Sequence, residues 1–160
     1  MKLNRIVLVG VFPLVLLLPI FTKGSEITKP ALPNIRIAFY FPGANAGAKD
    51  AAAIADLPST GGTVDARGLE GAQTWTADPF SGVTKPVRVL LGAGTTTVSA
   101  NTIIPSNVTL VFSQGSILSL NSGITLTISG TIEAPPQTIF AGAGASTGIT
   151  FTNPERQAII

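Results

Sequence analysis

Between Val108 and Ala134 the chain alternates. Apolar residues recur at Val108, Leu110 and Phe112, then at Leu118, Leu120, Ile124, Leu126, Ile128, Ile132 and Ala134, with Thr and Ser mostly between them. A period of two puts one set of side chains on each face of a strand, here an apolar face and a wettable one. The pattern breaks at Gln114-Gly115, Asn121-Ser122-Gly123 and Ser129-Gly130, residue types that let a chain turn a corner. The stretch is therefore predicted to be a series of short strands joined by tight corners.

The same alternation starts at Val87 and returns after Pro135-Pro136, where Gly142, Gly144 and Gly148 mark further corners. Residues 46–57, AGAKDAAAIADL, are rich in Ala, follow Asn45 as N-cap and stop at Pro58, which predicts a helix. Its small apolar side chains suit close packing against the end of a sheet stack, with Ile54 and Leu57 as the larger contacts. Gly61-Gly62 predicts a corner into a strand at 63–66. Residues 69–85 have no sustained period and read as a loop excursion, and the prolines of 25–43 read as a linker leading into one edge strand over 35–41.

Composition narrows the class. With 45% hydrophobic and 11% charged residues the chain can build one domain with a core, and 17 Gly and 12 Pro favour a turn-dense all-β protein. Residues 1–24 read as a signal peptide, because Lys2 and Arg5 precede an uncharged run from Ile6 to Phe21 that ends at the small residues Thr22 and Gly24. That run is shorter than the roughly 20 residues of a membrane span and contains Pro13 and Pro19. The expectation is a secreted, cell-surface or envelope protein that meets a membrane only through this segment. Of the 10 basic residues, Lys2, Arg5 and Lys23 lie in it, leaving 7 against 8 acidic ones, a balance that gives no reason to expect nucleic acid as partner. With no Cys, no disulfide stabilises an exported chain.

The strings AAAIADLPSTGGTV and LLGAGTTTVSANTIIPSNVTLVF resemble the start of the pectin-lyase-like right-handed β-helix superfamily, over about residues 38–134. Gly92 and Thr96 depart from the Pro and Tyr usual in the family's turn. The resemblance implies an all-β, right-handed parallel β-helix of about four coils with an N-terminal capping α-helix. It implies the fold more specifically than an activity. The residues alone also allow SILSL-NSG-ITLTI to be an antiparallel hairpin. A loose repeat of about 20 residues, seen in Asn101 and Asn121, favours coils that stack on their neighbours. The domain expectation is thus a signal peptide at 1–24, linker and edge strand at 25–43, a capping helix at 44–58, coils over 59–153 and a truncated tail at 154–160. Nothing in the tail resembles a second cap, so further β-helix coils or another chain are expected at the C-terminal end.

Candidate chemistry is sparse. The absence of His and Cys removes imidazole, thiolate and common zinc sites. No two acids sit at neighbouring outward positions of one strand, as paired-carboxylate glycoside hydrolysis would need. For a polysaccharide lyase, Asp65, Arg67 and Arg88 are the weak candidates, with the alternative that Asp65 and Arg67 simply pair; Glu70 and Asp78 are the other nearby acids. Calcium needs several oxygen ligands and is expected only in a longer parent protein. For polysaccharide binding the candidates are Trp75 and Phe80 with Gln73 and Asp78, because a sugar ring favours an aromatic platform with polar neighbours; the alternative is that both rings pack on the solenoid. Asn107-Val108-Thr109 matches a glycosylation sequon. The expectation is a non-catalytic β-helix segment of a carbohydrate-associated protein, with no cofactor or metal site of its own. The alternatives are the N-terminal fragment of a polysaccharide lyase or glycoside hydrolase, or a structural surface or adhesin module.

Overall fold

The computed structural model describes residues 32–69 and 73–152. The signal-peptide and tail expectations, and the linker before residue 32, lie outside these residues.

Every strand pairing in the described chain is parallel, and the strands form three sheets. The first contains, in spatial order, β1 (Ile35–Ile37), β2 (Gly62–Asp65), β4 (Val87–Leu91), β7 (Val108–Phe112) and β10 (Thr131–Glu133). The second runs from β3 (Gln73–Trp75) through β5 (Gly94–Val98) and β8 (Ser116–Leu120) to β11 (Phe140–Ala141). The third contains β6 (Thr102–Ile104), β9 (Leu126–Ile128) and β12 (Ile149–Phe151). From β2 onward successive strands change sheet and return one rung further on, which is a β-solenoid of about four coils. The hairpin reading of residues 116–128 is thereby excluded: β8 and β9 lie in different sheets, and the corner between them uses Gly123 at φ +76°, a left-handed conformation that favours glycine.

The coil repeat is somewhat longer and less even than the expected period of about 20 residues. Partner residues such as Val87 and Val108, or Thr63 and Arg88, stand 21 to 25 positions apart. Asn101 and Asn121 are not equivalent, since Leu120 lies beside Val98 and Asn121 follows it into the corner. Corner lengths vary from coil to coil, so the backbone register rather than residue identity carries the repeat.

The interior is built from columns of side chains that continue from rung to rung. Val64, Val89, Leu110 and Ile132 form one, Trp75, Val98 and Leu120 another, and Ile104 and Ile128 a third, all buried. These are the apolar positions of the alternating pattern. At roughly 1.5–3 kcal/mol for each large apolar side chain buried, such columns dominate the stability of the stack.

The helix α1 (Ala46–Asp56) precedes the first coil and packs against β1, β2 and β3. The side chain of Asn45 accepts a hydrogen bond from the Ala48 N–H at 3.0 Å, and Leu57 is extended, as a residue before proline is biased to be. At the other helix end, Arg36 donates to the Asp56 carbonyl at 2.9 Å, and Lys85 Nζ donates to the carbonyls of Ala55 at 3.2 Å and Leu57 at 2.6 Å. Cations thus satisfy carbonyls left without partners at the negative end of the helix dipole.

Candidate functional site at the capped end

Small residues set the distance between helix and coil. A Cβ added at Gly47 would lie 3.1 Å from Trp75 Cα and Cδ1, so the helix backbone rests almost directly on the indole. Trp75 is fully buried at the end of β3, and Phe80 meets it edge-on with 5.5 Å between ring centres. The expectation of an aromatic sugar platform at these residues is corrected here: neither ring offers a face to solvent, because both fill the interior of the first coil. Trp75 reaches that position because part of the expected loop excursion is a strand, β3, registered beside β5.

Asp78 has a structural role. Its Oδ1 accepts from the Phe80 N–H at 2.9 Å and its Oδ2 from the Ile103 N–H at 3.1 Å. The third sheet begins only with β6, so this carboxylate satisfies a backbone donor at the sheet edge that a strand of the first coil would otherwise meet. Nearby, Asn107 Nδ2 donates to the carbonyls of Val83 at 3.3 Å and Lys85 at 2.6 Å, which fastens the rest of the excursion and engages the amide of the sequon.

Beneath the helix lies the residue that sequence reasoning passed over. Asp50 is 1% exposed, and one carboxylate oxygen accepts the indole N–H of Trp75 at 3.2 Å. Its Oδ1 has no partner. Burial pushes the carboxyl up to about 7, against a smaller lowering from the Trp75 hydrogen bond. A cavity of about 20 Å³ adjoins it, lined by Asp50, Ala66, Gln73, Trp75, Leu91 and Thr96 among others. A signal for Asp50 was present: it stands four residues from both Ala46 and Ile54 and three from Ala53, all buried, and so shares their helix face.

The charged candidates for lyase chemistry are held elsewhere. Asp65 accepts from the Arg67 side chain at 3.0 and 2.8 Å, and from its backbone N–H at 3.0 Å. The hydrogen bond from Arg67 holds the Asp65 carboxyl below the usual range. Arg88 makes a two-pronged pair with Glu133, both contacts 2.6 Å, two rungs away on the same sheet. Each arginine is thus engaged by a carboxylate, and a carboxylate whose charged form is stabilised in this way is a weaker base. Sequence could not foresee Glu133 as the partner of Arg88, because the contact crosses 45 positions. Among the described residues no three acidic, His or Cys side chains converge as a metal site. Glu70 lies outside the described residues.

Compared with family models, with curated proteins and with solved structures, the chain matches none.

Proposed function

We propose that this chain is the starting segment of an exported, pectin-lyase-like β-helix protein, whose work is to close one end of the solenoid and to present the other for stacking. The observation that carries this reading is the difference between the ends. The first coil is covered by α1, whereas β10, β11 and β12 terminate their sheets among the described residues. Their rung carries Phe140 and Phe151, in edge contact with ring centres 6.3 Å apart, and Phe151 is 40% exposed although it continues the interior column of Ile104 and Ile128. An interior column that ends in an exposed ring, beside strand edges, suits a further coil of the same pitch. Polysaccharide contact, if this protein has it, then belongs to outward faces or later coils rather than to Trp75 and Phe80.

The test is the intact mass and oligomeric state of the native product recovered from the producing cells and their medium. A mass well above 16.3 kDa, or end-to-end association of the chain, supports the proposal. A product ending at residue 160 that stays monomeric at high concentration overturns it.

A further inference from the structure

The helical cap rests on a carboxyl group that the protein only half satisfies. Asp50 faces into the junction from α1, gives one oxygen to the Trp75 indole N–H, and leaves Oδ1 unpartnered beside a cavity of about 20 Å³. That volume holds one water molecule, and the lining includes Gln73 and Thr96 as polar neighbours. A charge has no counterion there. From α1 the nearest cation is Lys49, whose Nζ lies over the Phe39 ring, 5.4 Å from its centre. From the 66–69 segment Arg67 is turned to Asp65, and the described residues of β3 and the 91–96 corner contribute no titratable group to the cavity.

We propose that Asp50 is a proton- and water-binding site that latches the helix onto the first coil. With its proton on Oδ1, the acid donates to one internal water while its other oxygen keeps the indole N–H, and the junction closes with its polar atoms satisfied. On losing that proton to solvent the carboxylate is a buried charge with one neutral donor, and the favourable response is to admit more water by lifting the helix. The apolar hold on the helix is modest, since its buried face is mainly Ala46, Gly47, Ala53 and Ile54, and the bonds from Arg36 and Lys85 fasten only its far end. The raised affinity for a proton agrees with this geometry and places the transition near neutrality. The latch belongs to the closed end and does not depend on what stacks at the other.

The test uses the full chain and hydrogen exchange read by mass spectrometry, corrected for the intrinsic effect of pH. Between about pH 5 and about pH 8.5, opening of residues 46–56 is expected to rise at least tenfold. Asp50→Asn, which keeps an acceptor for the indole, should remove that dependence. Wild-type exchange that does not change with pH, or an equal dependence in the variant, overturns the latch. Because the variant can fail to fold, the Asp50 carboxyl resonance is also titrated by NMR in the wild type. A midpoint near 7 is expected, and one in the ordinary carboxylate range overturns the proposal. A nuclear Overhauser effect from a long-lived water to the Trp75 indole proton is expected at low pH, and its absence overturns the water site.

Discussion

At one end of the stack Arg36 stands in register with Val64, at the head of the column that continues through Val89 and Leu110 to Ile132. Its guanidinium pairs with Asp56 and donates to the carbonyl of Leu32 at 2.6 Å. At the other end Phe151 stands in register with Ile128 in the last strand of its sheet among the described residues, and is 40% exposed. A solenoid must end its apolar cross-section somewhere. Here one end is finished with polar and charged partners, and the other continues in the same chemistry as the interior. The difference separates a terminus built to stop the stack from one compatible with its extension.

The largest break in this comparison should come from Trp75→Ala. It removes a fully buried indole from beneath Gly47 together with the hydrogen-bond donor to the Asp50 carboxyl, so a loss of about 3–5 kcal/mol is expected in chemical denaturation. Glycan retention is not the readout for this variant, because its first effect is on the cap.

Changing pH should have the next largest effect. Asp50 is raised in the folded chain from 3.8 to about 7, so between these values the native state binds more protons than the unfolded one. Stability then falls as pH rises through this interval, by an amount on the order of 4 kcal/mol, and levels off above it. Asp65 and Glu133 are shifted downward by Arg67 and Arg88, so their contribution is lost as pH falls below about 4; both pairs are partly exposed and their share is small. Denaturant titrations across pH should therefore find maximum stability on the acid side of neutrality, near pH 4 to 5. A maximum at pH 8 would contradict the burial of Asp50.

Arg36→Leu sharpens the comparison by making the capped end resemble the open one. It removes donors to Asp56 and Leu32 while retaining apolar bulk, and should cost about 1–2 kcal/mol. The smallest expected effect on stability is that of Phe151→Ser, about 1 kcal/mol or less, because the ring is already 40% exposed. Self-association measured by light scattering should fall in that variant if the open end is a stacking surface.

Much of the fold was legible in the sequence because its signals are local. A period of two marks the interior positions of β7 to β10, Asn45 and Pro58 bracket the helix, and Gly123 marks a corner. The candidate site was much less legible. Trp75 and Phe80 look alike as interior or surface residues when they lie in an aperiodic segment, and Asp78 reads as an ordinary loop acid until Ile103, 25 positions on, is found to donate to it. Arg36 was harder still: alternation through Ile35-Arg36-Ile37 suggests the isoleucines face inward, yet pairing with β2 puts Arg36 in register with buried Val64 and leaves Ile35 39% exposed.

By itself, the sequence determined the helix and the strands and apolar faces of the regularly alternating stretch from β7 to β10, but neither β3 nor the inward residue of β1, since only sustained periodicity and backbone preference can be read within a few residues. Only the tertiary structure decided that Arg88 meets Glu133 and that Asp50 lies buried over Trp75 with an unsatisfied oxygen. Parallel coils bring together residues a whole turn or more apart, and the length of every intervening corner sets which ones meet. No local pattern encodes that sum.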